Sequence, residues 1–240
     1  MLYYRKKSII TNFILAIIIV SVLSVGAWQD KSVTISSSSD YRVFYNGDKS
    51  SSNVALMFNV YENTKVVENI IETLSSNGVK ATFFVGGCWA DDNAKIIKTI
   101  IEKGFEVGNH GYFHKDHKNL SEEKNREEIQ NCDKIVKSLC GYKMNLFAPP
   151  SGSFGKATLK AVSELDYHTV MWSKDTIDWR DSDVNLIVKR ATETVEGGDL
   201  ILMHPKEHTL NALEEIIKVI KSKNLKMVTV SECLALKTEV

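Results

Sequence analysis

Short apolar runs alternate with stretches of helical spacing over most of the chain. Runs at 54–58, 81–85, 105–108, 146–148, 168–171, 200–203 and 227–230 read as strands. Between the first two, Val66, Val67, Ile70, Ile71 and Leu74 share one helical face and predict a helix over 66–76, stopped by Gly78. A helix over 94–103 is closed by Gly104 in the same way. Ser121 stands as an N-cap before Glu122 and Glu123, whose charge suits a first helical turn, and that helix runs to about Leu139. Further helices are predicted near 156–165, 184–195 and 210–223. Alternation repeated this often implies an α/β domain on a parallel sheet, open or closed into a barrel.

The pattern is different before residue 53. Arg5, Lys6 and Lys7 precede an apolar run over 13–28 that is broken only by Ser21, Ser24 and Gly26. Positive charge ahead of an apolar segment is the export pattern. The run is shorter than the roughly 20 residues that span a bilayer comfortably, and Val25-Gly26-Ala27 offers a small-residue cleavage site. Residues 1–28 are therefore either a signal peptide or an N-terminal membrane anchor. Both place the remainder outside the cytoplasm, membrane-anchored or secreted. Residues 29–52 carry the run Ser36-Ser37-Ser38-Ser39 and read as a linker, with one short strand at 41–45. The domain proper is expected over 53–240.

Charge narrows the partners. Lys plus Arg number 30 and Asp plus Glu number 30, so the net charge is zero. Nucleic acid is excluded as an expected partner, because its phosphates demand a basic excess. A neutral sugar polymer is compatible, and a monomer is expected. Cys88, Cys132, Cys140 and Cys233 form no metal or redox motif. Cys132 and Cys140 would stand about 12 Å apart along a helix axis, beyond disulfide reach, so buried free thiols are expected.

Polar residues gather where strands end, which is the edge on which parallel α/β folds build active sites. Asn59 ends the first strand, and Asn109, His110 and His114 follow the third. Asp175, Asp178 and Trp179 follow the fifth, and His204 ends the sixth. A helical turn would bring His110 and His114 onto one face, a spacing that suits a single zinc-like ion; surface histidines give the same spacing. Asp116 and His117 are either further ligands or exposed loop residues. His204 is either a general acid or a hydrogen-bonded core histidine, and Asp178 could orient and charge-stabilise it. Asp175 suits a cap on the following turn. His168 reads as an ordinary strand residue and His208 as a helix-start residue.

Five segments in order carry a resemblance. They are Ala81-Thr82-Phe83-Phe84-Val85-Gly86, Gly108-Asn109-His110-Gly111-Tyr112-Phe113-His114, Phe147-Ala148-Pro149-Pro150-Ser151-Gly152, Asp175-Thr176-Ile177-Asp178-Trp179 and Leu200-Ile201-Leu202-Met203-His204-Pro205. Over about 54–236 the chain resembles the NodB-homology polysaccharide deacetylases, carbohydrate esterase family 4. The resemblance implies a distorted (β/α) barrel of seven or eight strands. It also implies metal-dependent removal of acetyl groups from N-acetylated sugars of peptidoglycan or chitin-like polymers, with a divalent metal, zinc, as cofactor. By the same resemblance His110 and His114 are metal ligands, His204 is the acid and Asp178 its partner. Trp179 and Pro150 line the substrate, and the Ser151 backbone N–H serves the oxyanion.

Two of the family's motifs are degenerate here. Where the family has Thr-Phe-Asp-Asp-Gly, this chain has Met57-Phe58-Asn59-Val60-Tyr61. Asn59 stands in place of the base, and an amide does not take a proton near neutral pH. Val60 stands in place of a metal-binding carboxylate. Ala148 and Ser151 replace the arginine and tyrosine of Arg-Pro-Pro-Tyr-Gly, and losing that arginine with the base leaves neither charge buried alone. Glu62 is either a substitute ligand or base, or a solvated loop glutamate. Two functions follow as expectations. One is a cell-wall glycan deacetylase with a modified metal site; the other is an inactive deacetylase-fold protein that binds envelope glycan or a protein partner, its metal lost. The membrane would be met through the N-terminal segment.

Overall fold

The computed structural model describes residues 41–236. The expected signal or anchor at 1–28 lies outside the described residues, as does the serine run. No helix among the described residues is long and apolar enough to cross a membrane. The strands, in chain order, are β1 (Val43–Phe44), β2 (Asn53–Val60), β3 (Thr82–Val85), β4 (Glu106–Asn109), β5 (Leu146–Phe147), β6 (His168–Val170), β7 (Lys174–Asp175), β8 (Leu200–Met203) and β9 (Lys226–Val228). The helices are α1 (Thr64–Ser76), α2 (Gly87–Asp92), α3 (Ala94–Glu102), α4 (Glu122–Cys140), α5 (Lys156–Glu164), α6 (Val184–Thr192), α7 (Glu207–Ser222) and α8 (Val230–Cys233).

All named strands pair in parallel, in the order β1-β6-β5-β4-β3-β2-β8-β7, with β9 on β2. The sheet curls into an incomplete barrel surrounded by helices, which is the distorted (β/α) architecture expected. Seven of the eight residues of β2 are buried, so the strand meets apolar layers on both faces. Its alternation sorts them. Leu56, Phe58 and Val60 join the cluster that includes Ile70, Ile97 and Ile216 of the helices. Ala55 and Met57 join Phe84, Leu146, Ala148 and Leu202 inside the barrel. Each fully buried Leu, Ile or Phe contributes about 1.5–3 kcal/mol of transfer free energy, and this two-sided core is what closes the sheet around its interior.

Local chemistry sets the helix ends. Ser121 caps α4 by accepting from Lys124 N at 3.2 Å, with Glu122 and Glu123 in the first turn and Gly141 in the left-handed region at the far end. Asp183 caps α6 by accepting from the N–H groups of Asn185 and Leu186. The strand expected over 227–230 stops at Val228, because Thr229 and Glu232 cap each other's backbone N–H and start α8. α2 is absent from the sequence reading, since Gly86-Gly87 looks like a break. α7 begins at Glu207, three residues earlier than its apolar period suggests.

Residues 41–52, expected as linker, are bound into the domain. The short strand expected at 41–45 is β1, paired with β6. Asn46 bridges Asp199, and Gly47 N donates to Gly198 O at 2.7 Å. Gly197 lies against this segment so closely that a Cβ would stand 1.7 Å from the Ser51 carbonyl oxygen. Gly197→Ala is therefore expected to cost about 1–3 kcal/mol or more, read as a lower urea midpoint; an unchanged midpoint would show that 47–51 is not packed there. All four cysteines are free, with Cys88 exposed. Burial pushes the thiols of Cys132 and Cys233 up to about 12. With a disulfide reagent Cys88 should label fastest in the native protein and half-buried Cys140 more slowly, while Cys132 and Cys233 label on unfolding.

Candidate active site

The C-terminal ends of β2, β4, β5 and β8, with the loop after β7, supply the polar residues expected at this edge. His110 follows β4 directly and is 0% exposed. Its backbone N–H donates to Val85 O, and its Nδ1 lies 2.7 Å from Ala148 O. A carbonyl only accepts, so Nδ1 carries the proton and Nε2 is left as a lone pair. That Nε2 is buried and has no hydrogen-bond partner. Burial, with the neighbouring His114 second, holds the His110 imidazole well below its ordinary pKa.

His114 meets His110 by a route the sequence spacing does not suggest. No helical turn joins them. Gly111 (φ 73°) and His114 (φ 54°) take left-handed conformations in an irregular loop, and the two rings meet edge to face with centroids 5.1 Å apart. Glu128 on α4, itself buried, holds this loop by accepting from Tyr112 N at 3.0 Å and Phe113 N at 2.8 Å. Asn109 adds a bond from Gly111 N to its Oδ1. The two Glu128 contacts are not legible in sequence, because Glu128 lies on α4, 15 and 16 residues beyond the groups it holds.

The candidates for further ligands do not join the pair. His117 is not an exposed loop residue: it is fully buried, with Nδ1 2.6 Å from Asn125 Oδ1, and its carbonyl accepts from Thr158 Oγ1. Its Nε2 lies against Gly111, where a Cβ would stand 2.9 Å away. Asp116 is exposed and hydrogen-bonded to Ser153 and Asn119. Glu62 is not solvated alone; it pairs with Lys206, linking the loops after β2 and β8. Val60 is buried in the helix-facing cluster. Among the described residues no group of three or more His, Cys, Asp or Glu could hold a metal ion. Two imidazoles without a third donor do not fit the divalent ion that the resemblance implies.

The opposite half of the site is fully connected. Asp178 is 1% exposed, and its carboxylate accepts from His204 N (2.7 Å), His204 Nδ1 (2.7 Å) and Thr209 Oγ1 (2.6 Å). Burial alone would raise its pKa, but the hydrogen bonds and charge of His204, with Thr209, outweigh it and leave the carboxyl below its usual range. With Nδ1 bonded to Asp178, His204 presents Nε2 away from its partner. Asp175 caps the turn before Asp178, accepting from Ile177 N at 2.8 Å. His208 adds a bond between its Nε2 and Asp178 O, and Thr209 is a partner the sequence reading missed; a Thr one turn into α7 carries no signal of its own.

Asn59 is 2% exposed, and its Oδ1 has no hydrogen-bond partner. Ala148 is buried in the barrel interior and gives its carbonyl to His110. Pro150 is buried beside it, and Ser151 adopts a left-handed conformation (φ 55°, ψ 20°). Gly152 and Ser153 spend their N–H groups on the turn, whereas the Ser151 N–H donates to none of the described residues. Trp179 stands 55% exposed at the rim, with the Arg180 guanidinium 5.8 Å from its ring.

Known proteins share the sequence pattern and fold of this domain. Residues 46–170 match the polysaccharide deacetylase family. The chain is 36% identical over 190 residues to the uncharacterized protein YlxY of Bacillus subtilis, covering 79% of this chain and 60% of that one. It is 31% identical to a peptidoglycan-N-acetylglucosamine deacetylase of Bacillus cereus, covering 79% of this chain and 70% of that protein. A crystal structure of a CE4 family pseudoenzyme from Bacillus anthracis superposes with a TM-score of 0.79 at 33% identity, over 82% of this chain and 70% of that one. With the family matched over more than half of its length and the barrel shared with its solved members, this chain belongs to the polysaccharide deacetylase family.

Proposed function

We propose that this chain acts on the N-acetylated sugars of a cell-wall glycan, peptidoglycan or chitin-like, as a deacetylase with a modified site. The observation that carries this is the buried Asp178–His204–Thr209 array at the strand edge. Hydrolysis of an acetamide needs three services: a polarised carbonyl, a proton for the departing nitrogen and an activated water. The Ser151 N–H is free to donate to the oxyanion that forms as water adds to the carbonyl carbon. His204, held by Asp178, gives the proton to the sugar nitrogen as the C–N bond breaks. Trp179 at the rim and buried Pro150 flank the place where the acetyl group would lie. The relatives' names support the glycan: the B. cereus protein is a peptidoglycan-N-acetylglucosamine deacetylase. Placement of the domain outside the cytoplasm, by a signal or an anchor over 1–28, agrees with a wall substrate.

A second reading, glycan binding without turnover, is favoured by the third service. Asn59 cannot take a proton from water, and Glu62 is committed to Lys206. The B. anthracis neighbour is a pseudoenzyme of the same fold.

Acetate release and glycan binding, measured on the full-length chain with N-acetylglucosamine oligomers and peptidoglycan, separate the two. Deacetylation predicts acetate from the wild type and a loss of about 10²–10⁴-fold in His204→Ala with binding retained. Binding without acetate establishes the second reading, and neither signal sinks both. The Asp178 array also makes a stability prediction. Its carboxyl is lowered in the folded state, so its contribution is present above the ordinary Asp value of about 4 and is lost as pH falls through the folded value. Asp178→Asn is expected to cost about 1–3 kcal/mol at pH 7, with the gap in thermal midpoint closing as pH falls below about 4. A gap independent of pH would show that the charge is not what the array uses.

A further inference from the structure

Beyond Asn59, where the family motif has a carboxylate and a glycine, this chain has Val60 and Tyr61. The Tyr61 ring lies over the histidine pair. Its centroid is 4.0 Å from that of His114, tilted by 37°, and 6.3 Å from that of His110 at 28°. The ring is placed by its surroundings. Gly86 N donates to Val60 O at 2.8 Å, and Gly86 leaves the Tyr61 Cβ its room. On the other side, Glu62 pairs with Lys206, and Asn63 Nδ2 donates to Pro205 O at 2.9 Å. The 61–63 loop is thus tied to β3 and to the loop after β8. Under this cover the His110 Nε2 lone pair, correctly turned by Ala148 to accept, is sealed from solvent with nothing to accept from.

A zinc-like ion needs about 2.0–2.1 Å to each imidazole nitrogen and two further donors around it. A phenol ring tilted over the His114 imidazole and lying 6.3 Å from that of His110 takes the room an ion and its water would need, and Val60 offers no donor. We infer that Tyr61 closes the histidine pair, its ring taking the space in which a metal ion and its water would stand. This rests on reading the edge as a deacetylase-type site. Metal affinity is measured apart from glycan binding and acetate release, so each reading can fail alone.

The test is Zn(II) competition against a chromophoric chelator and Co(II) absorption, on the full-length chain in detergent. The variants are wild type, Val60→Asp, Val60→Asp/Tyr61→Gly and Val60→Asp/Tyr61→Phe. The wild type should bind neither ion at stoichiometric concentrations. The Asp/Gly double variant should bind Zn(II) at least about 10-fold tighter than Val60→Asp, a difference of about 1.4 kcal/mol, and give tetrahedral Co(II) absorption. The Asp/Phe variant, which keeps the ring and loses the hydroxyl, should match Val60→Asp. Equal affinity of Val60→Asp and the Asp/Gly variant overturns the inference, as does tight binding by the Asp/Phe variant. Should the variants fail to fold, the imidazole nitrogen resonances of the wild type decide. His110 and His114 should not move on adding Zn(II); a shift saturating at one equivalent overturns the inference.

Discussion

The alternation of β2 is the constraint on which the site rests. A strand in a parallel sheet covered on both faces sends successive side chains to opposite layers. Ala55 and Met57 enter the barrel interior, Asn59 follows them by the same period, and Leu56, Phe58 and Val60 go to the helices. The order of polar and apolar residues at the strand's end therefore decides what the site contains. An apolar residue at 60 extends the helix-facing core by one more layer and leaves the site without a donor from that position. Tyr61, the first residue beyond the strand, is then free to turn back over the edge, where it meets His114 and His110.

The two halves of the site obey different physics. A carboxylate as buried as Asp178 is tolerable because three donors meet it, and removing any one would leave charge uncompensated. Those donors come from the start of the loop after β8 and from α7, so the Asp178 array also fastens the 175–178 turn to the barrel. In the histidine half the buried carboxylate, Glu128, lies behind the loop and is met by Tyr112 N, Phe113 N and Lys115, and the groups at the strand ends carry no charge. Burial favours the neutral form of His110, and Asn59 and Ala148 are uncharged. The edge near β2 and β5 thus presents uncharged side chains under the Tyr61 ring, while the edge near β8 holds a hydrogen-bonded carboxylate and imidazole.

Much of this is legible in the sequence because it depends on short-range period. Val66 to Leu74, the Ser121 cap and the runs that became β2, β3, β4 and β8 all announce themselves within a few residues. What escaped the sequence is long-range. The 41–52 segment looks polar enough for a linker, yet its backbone is satisfied by Gly198 and Asp199, about 150 residues on. His117 has the composition of a loop residue, and only the packing of Asn125, Thr158 and Phe147 around it makes it core.

The sequence by itself determined the α/β class, the gathering of polar residues at the strand ends, and the presence of Asn59 and Val60 where the family motif has two carboxylates, because residue identity and alternation are local properties. The tertiary structure alone decided how the remaining residues meet. It joined His110 to His114 by a left-handed loop held on Glu128, where spacing suggested a helical turn. It also committed Glu62 to Lys206 and laid Tyr61 over the imidazoles. Each of those outcomes depends on which side chain from another loop arrives within hydrogen-bonding or van der Waals reach, and no spacing within one segment carries that information.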